Sequence, residues 1–352
     1  MFHLILTACL AAAPEDCATI LLPQGDAASQ QGCEAQAQRI AQAWLAARPD
    51  LTGGPATCQA NADLPASDLQ QVAPGVHVHI GQIMQMEQSP DGRIANLGVV
   101  VGRDGVAVID AGVSRAEGQA LYVALRRLTD RPVTDLVLTH VHPDHSLGAS
   151  VLAEAGARIW GHATLPQALN SRGPIYLENL SRLYPPQDWV GTQIVPPDQA
   201  VTDTARIDLG DRSLLLTAWP AAHTDGDLTV LEEATGTFFA GDLLFRDLAP
   251  VLDGSLRGWL NWMDESAPTG ANIIVPGHGQ PATSWAEAAG PQRRFLKALA
   301  DETKRQIDDN IPMSEAVPRI GKAMEDQAEF WEAFQETVAR DATAAYKELE
   351  WD

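Results

Sequence analysis

The stretch Leu138–Gly148, LTHVHPDHSLG, packs His140, His142, Asp144 and His145 into six positions. Imidazole nitrogens and carboxylate oxygens are good ligands for zinc and similar ions. The cluster follows the apolar run TDLVLT (134–139), which reads as a strand. On extended backbone, residues two apart point the same way, so His140 and His142 reach one ion. Pro143 forces a turn that aims Asp144 and His145 elsewhere, toward a second ion.

Three more candidates lie downstream, each after a strand-like run: His223 in PAAHTDGDL, Asp242 in FFAGDLLF and His278 in VPGHG. Side chains at strand ends on one rim of a sandwich converge although far apart in sequence. Seven ligands with no sulfur fit two ions, one ligand shared, in a catalytic rather than a structural site. The remaining histidines read differently. His77 and His79 form an H-x-H with no carboxylate after it, which suits a solvated strand face. His162 is isolated and fits a capping or packing role, and Asp225 and Asp227 read as turn formers.

Around this core, strands are expected at 75–81, 95–102, 105–112 and 134–139, with a helix at 115–128 between the last two. Residues 163–184 look partly helical, and 184–199 form a Pro-rich loop. Residues 34–48 read as a helix with Ile40, Trp44 and Leu45 on one face, and 49–65 as turns and linker. The C-terminal 60 residues look helical, with Trp331, Phe334, Val338, Ala342, Ala345 and Leu349 on one stripe, a core or dimer face. The expected organisation is an export signal at 1–13, a small cysteine-containing segment at 14–70, a central domain at 71–285 and a helical extension at 286–352.

Apolar residues make up 45% of the 352 residues, enough for a sizeable core. The net charge of −22 is spread along the chain and repels phosphate backbones, so nucleic acid is excluded as a partner. No apolar stretch reaches the 18 or more residues of a membrane span. All four lysines lie at or after Lys297, which excludes Schiff-base chemistry in the central region. The start, MFHLILTACLAAAPEDC, has an apolar run ending in small residues, as an export signal does. LTAC (6–9) also matches a lipoprotein processing site, and the alternative is a buried N-terminal strand. With Cys9 in a removed leader, Cys17, Cys33 and Cys58 remain, giving one disulfide of unassigned pairing and one thiol. That usage fits a periplasmic or secreted protein.

The pattern H-x-H-x-D-H, then His, Asp and His, resembles the metallo-β-lactamase-fold superfamily over roughly residues 72–285. VVVGRDGVAVIDAG (99–112) resembles that superfamily's leading strands. The resemblance implies an α/β fold, a four-layer αββα sandwich. It also implies two zinc ions, with iron or manganese as alternatives. His140, His142 and His223 would hold the first ion, Asp144, His145 and His278 the second, and Asp242 would bridge them. Asp110 would orient the ligand loop from behind. Aspartate rather than cysteine at 242 disfavours the thiolate-using zinc β-lactamases, and histidine at 142 disfavours flavodiiron oxidoreductases. What remains is similar to the glyoxalase-II-like and SoxH-like branch. FRDLAPVLDGSLRGWLNWMD (245–264) and the ending AAYKELEWD resemble SoxH-related zinc metallohydrolases of periplasmic quinoprotein systems. The implied activity is hydrolysis of an activated ester, thioester or lactone by a metal-activated hydroxide, with Asp144 orienting the nucleophile. Arg246, Asp253 and Trp259, close after Asp242, are candidate substrate contacts. The rival readings are a mononuclear iron persulfide dioxygenase-like enzyme and an accessory protein with a periplasmic redox partner.

Overall fold

The computed structural model describes residues 1–265 and 268–351; the last residue of the AAYKELEWD ending, Asp352, lies outside them. Three sheets organise the chain. The first has the order β2-β1-β3 and is antiparallel, from β1 (Phe2–Leu10), β2 (Cys17–Ala27) and β3 (Leu51–Ala60). Helix α1 (Gln30–Ala46) covers it, burying Cys33, Ala37, Ile40, Ala41 and Trp44, and Ser29 caps its N-terminus by accepting from Gly32 N.

The second sheet has seven strands. These are β4 (Gln70–Ala73), β5 (Val76–His79), β6 (Leu97–Val101), β7 (Val106–Ile109), β8 (Val133–Val137), β9 (Arg158–His162) and β10 (Gln199–Val201), in the order β10-β9-β8-β7-β6-β5-β4. The third runs β11-β12-β13-β14-β15, from β11 (Thr204–Asp208), β12 (Ser213–Trp219), β13 (Asp227–Glu232), β14 (Thr237–Phe239) and β15 (Ile273–Val275).

Alternation along the strands creates the layers. On β6, Leu97 and Val99 face α2 (Arg115–Leu128) and α4 (Ala149–Glu154), which follows the single turn α3 (Pro143–Ser146). Val100 faces the third sheet, where Leu214, Leu216, Leu228 and Val230 close the inter-sheet core. Gly98 faces that way too, so close that a Cβ there would lie 2.5 Å from Phe239. Helix α5 (Leu165–Leu183) and the turn α6 (Pro186–Trp189) follow β9. The outer face of the third sheet is covered by α7 (Leu256–Glu265) and α8 (Trp285–Asp308), then by α9 (Met313–Ala323) and α10 (Phe334–Leu349). The result is the four-layer αββα sandwich, with an added N-terminal sheet and C-terminal helices. The C-terminal stripe is intramolecular core: Trp331, Phe334, Val338, Ala342 and Ala345 are buried with Phe295 and Leu299 of α8.

The N-terminal segment is built into a sheet. Residues 2–10 form the middle strand of the first sheet, with Leu4, Leu6 and Ala8 fully buried. An apolar run of nine residues suits a signal core and a buried strand equally. Cys9 bonds to Cys17 and Cys33 to Cys58, so there are two disulfides rather than one disulfide and a thiol. Residues 51–60, read as linker, are an edge strand. Their ladder to β1 and the close approach of Gly53 to Leu45 hold them in place, although the segment lacks an apolar pattern. Two disulfides point to an oxidising, non-cytoplasmic compartment. Among the described residues, no helix is long and apolar enough to cross a membrane.

Candidate metal centre

The seven expected ligands meet on the rim where β8, β12, β14 and β15 end. His140 and His142 follow β8, and the next turn begins with Pro143 at the first position of α3, where its missing N–H costs nothing. Asp144 and His145 lie in that turn. His223 follows β12, Asp242 sits in a single 3₁₀ turn (Gly241–Leu243) after β14, and His278 follows β15. Gly277 must be glycine, because a Cβ there would lie 1.8 Å from Asp242 Oδ1.

One ligand atom from each of His140, His142, His223 and Asp242 falls within a 4.8 Å cluster, and likewise for Asp144, His145 and His278. Asp242 faces both groups: Oδ2 is 3.4 Å from His223 Nε2 and 3.3 Å from His278 Nε2, and Oδ1 is 3.1 Å from His145 Nε2. Asp144 Oδ2 lies 3.5 Å from His145 Nε2 and 3.4 Å from His278 Nε2. For bonds of about 2.0–2.1 Å in tetrahedral geometry, neighbouring ligand atoms stand about 3.4 Å apart. The spacings match.

The hydrogen bonds behind the histidines select their tautomers. Nδ1 of His145 donates to Asp110 Oδ2 (2.8 Å), that of His223 to the Val251 carbonyl (2.7 Å), and that of His278 to the Ile94 carbonyl (2.9 Å). His140 Nδ1 donates to Thr139 Oγ1 (3.0 Å), whose own proton goes to Asp110 Oδ2 (2.8 Å). His142 is reversed: its Nε2 donates to Asp253 Oδ2 (2.9 Å). Every ring therefore turns a bare nitrogen inward, four of them Nε2 and one Nδ1. His140 Nε2, His145 Nε2 and Asp242 Oδ1 are buried without any hydrogen-bond partner. His142 Nδ1 and His223 Nε2 stand 3.0 Å apart, two lone pairs facing each other. Buried acceptors converging without donors are costly unless a cation sits among them. The donor set thus fits two divalent metal ions.

Electrostatics agree. Burial opposes the charge of Asp242, yet His278, His145 and His140 hold its carboxyl well below the usual range. Burial pushes His140 well down and His223 down to about 3. At His145 and His278 burial also resists protonation, but Asp242 and Asp144 outweigh it and draw a proton toward those nitrogens. Protons and metal compete for the same sites.

Asp110 directly follows β7. Its left-handed backbone (φ 60°) brings the carboxylate under the ligand loop, where it accepts from Thr139 N, Thr139 Oγ1 and His145 Nδ1. The three candidate substrate contacts diverge. Asp253 lines the cavity over the centre, but its carboxylate is engaged by His142 and by Arg172 of α5. Arg246 points away, donating to the Gln280 and Pro281 carbonyls and to Glu287. Trp259 is fully buried, donates to the Leu243 carbonyl and packs edge-on against His223, 5.3 Å between centroids. Both brace the ligand loops.

Several supports were not read from the sequence. Asn96 donates to the Pro276 and Gly279 carbonyls on either side of His278. Gln292 of α8 accepts from Phe245 N and donates to the Leu243 carbonyl, fixing the turn of Asp242. Above the ligand cluster lies a cavity of about 430 Å³. Asp144, Asp242 and His278 line it together with apolar Met86, Ile175, Tyr176, Leu248 and Leu252, and with Arg172 and Arg340.

Comparison with known proteins gives the same picture. A linear primary-alkylsulfatase from Pseudomonas sp. (strain ATCC 19151) is 21% identical over 276 residues, covering 62% of this chain and 48% of that protein. The chain thus spans about half the length of this relative. The stereoselective inverting sec-alkylsulfatase Pisa1 from Pseudomonas sp. superposes with a TM-score of 0.62 at 13% identity, over 82% of this chain and 54% of that one. A metallo-β-lactamase from Erythrobacter litoralis, solved with β-mercaptoethanol in its active site, gives 0.50 at 21% identity, over 65% and 95%. These likenesses carry the fold. A family model described as the metallo-beta-lactamase superfamily matches residues 90–278, more than half of the chain and inclusive of all seven convergent side chains, so this chain belongs to the metallo-β-lactamase superfamily.

Proposed function

We propose that the protein is a periplasmic, dinuclear zinc hydrolase acting on an ester bond. The observation that carries this reading is the inward convergence of five bare imidazole nitrogens and two carboxylates, each ring locked from behind. His140, His142 and His223 would hold the first ion, Asp144, His145 and His278 the second, and Asp242 would serve both. Two zinc ions bound there would supply a nucleophile at neutral pH and polarise the bond to be cleaved. The chain's residues do the rest. Asp144, at the cavity floor, accepts a proton from the attacking water and fixes its direction. Asp110 and Asp253 keep His145 and His142 in the tautomers that ligate. The apolar cavity wall takes the carbon skeleton of the substrate, and Arg172 and Arg340 favour an anionic or strongly polar group on it.

Within ester chemistry, carboxylic esters, thioesters and lactones fit the site. The likeness to alkylsulfatases, with the two arginines beside an apolar wall, supports a sulfate ester as a second substrate class. The complete second ligand set favours two metals over a single iron, and thus hydrolysis over persulfide oxidation. The test is zinc-loaded protein against a thioester, a lactone, an aryl ester and a primary alkyl sulfate, with an oxygen electrode alongside. Metal-dependent cleavage of at least one ester without oxygen uptake is expected. Oxygen consumption with a persulfide, or inertness of the fully loaded protein toward all four, would overturn the reading.

A further inference from the structure

Residues 245–255 run from the Asp242 turn to α7 with no regular secondary structure of their own among the described residues. They nevertheless carry two groups that set the first metal's ligands: the Val251 carbonyl on His223 and the Asp253 carboxylate on His142. A segment outside any ladder needs acceptors for its amides from elsewhere. Here several of them come from the C-terminal extension, beginning with Gln292, which accepts from Phe245 N. Ala249 N donates to the Glu332 carbonyl (3.1 Å). Leu252 N donates to Asp341 Oδ1 (3.0 Å), and Asp341 is fully buried. Glu348 accepts from Leu256 N (2.7 Å), Ser255 Oγ (2.8 Å) and Arg257 N (3.3 Å), the first amides of α7 among them.

The grip is placed where it matters. Leu252 lies between the two residues that touch the ligands, and Asp341 holds the Leu252 amide. Asp341 and Glu348 lie seven residues apart on α10, two turns along one face. Other tethers act from the ligand side: Asp253 N donates to the His223 carbonyl (3.1 Å), Ser255 N donates to the Ala222 carbonyl (2.9 Å), and Arg172 of α5 donates to the Asp253 carboxylate.

We infer that α10 is a positioning element for the first metal: Asp341, with Glu348, holds residues 251–256 so that Val251 and Asp253 keep His223 and His142 in their ligating orientations. This rests on the dinuclear reading above. Asp341 and Glu348 touch no ligand and no substrate; they act through the loop.

The experiment compares wild type, Asp341→Leu, Asp341→Asn and Glu348→Ala, each as the full chain. Two readings are taken: stepwise zinc affinity by chelator competition, and the exchange-protected imidazole N–H signals in ¹⁵N NMR of the zinc-loaded protein. Wild type should load two zincs and show protected N–H signals for His142, His145, His223 and His278. Asp341→Leu should weaken one zinc step about 10- to 100-fold, the effect usual for lost outer-shell support. The His142 and His223 signals should fade while those of His145 and His278 persist. Asp341→Asn keeps an acceptor for Leu252 N and should restore both readings. Should Asp341→Leu fail to fold, Glu348→Ala reads the same loop and should affect His142 and His223 selectively. Folded Asp341→Leu or Glu348→Ala proteins with both affinities and all four signals unchanged would overturn the proposal. So would equal loss at both metals, which a merely structural role would give. Wild type that loads no zinc would instead overturn the proposed function.

Discussion

Asp144 serves two demands on one carboxylate. It faces His145 and His278 as a ligand would, and it lines the cavity floor where a nucleophile would be held. Asp144→Asn keeps the shape and one oxygen but loses the charge. Zinc content should fall, and turnover should fall further, by about 10²–10⁴, the usual cost of a lost proton acceptor. Measuring both on one sample with zinc in excess separates the roles; full recovery on refilling the second site would make Asp144 a ligand only. A second residue-scale prediction concerns Glu117, fully buried and pushed up by burial to about 8, with Val113 N donating to one oxygen and the other unpartnered. Its folded pKa lies above the ordinary 4.5, so the folded state holds the proton more tightly. Stability from this group is full below about 4.5 and is lost as pH rises through about 8. Glu117→Gln should flatten that decline, so its melting temperature should gain on wild type between pH 5 and 8 and match it at pH 4. Parallel curves would show that Glu117 does not titrate in this window.

At the scale of elements, what the sequence revealed depended on what kind of atom did the work. His140, His142, Asp144, His145, His223, Asp242 and His278 were legible because side-chain ligands leave a spacing signature. The Val251 and Ile94 carbonyls that orient His223 and His278 were not, because any residue supplies a carbonyl. Asp253 was noticed but given to substrate; only the fold brings it to His142. The pairing of the first sheet was hidden for a related reason. FHLILTACL alone does not say whether its neighbour is lipid, signal machinery or another strand, whereas the pairing of Cys9 with Cys17 across β1 and β2 does. Non-reducing peptide mapping should recover Cys9 linked to Cys17 and Cys33 linked to Cys58. Free thiols at all four positions in protein from its native compartment would contradict the oxidising location.

Across the whole molecule, a buried hub is one of the contacts that join the N-terminal sheet to the sandwich. Arg115, on α2, donates to Glu154 of α4 through both Nη atoms (2.9 and 2.6 Å) and to the Leu21 carbonyl of β2 (2.9 Å). Trp44 and Arg48, at the end of α1, donate to the same glutamate. Arg115→Leu removes the fully buried cation and leaves Glu154 with Arg48 and Trp44 as partners. A loss of about 1.5–3 kcal/mol in urea unfolding is expected, the usual worth of hydrogen bonds to a charged group. A loss under 1 kcal/mol would mean that the apolar contacts and the hydrogen bonds of Gln119 and Tyr122 to β2 suffice to dock the sheet. The central claim, however, concerns the metals, and elemental analysis tests it most directly. Protein from its native host and its Asp242→Ala variant should be measured side by side at equal folded concentration. The account requires two zinc ions per wild-type chain and a joint fall in both metal content and ester hydrolysis on losing Asp242. One iron per chain, or an Asp242→Ala protein that keeps two metals and normal turnover, would contradict it.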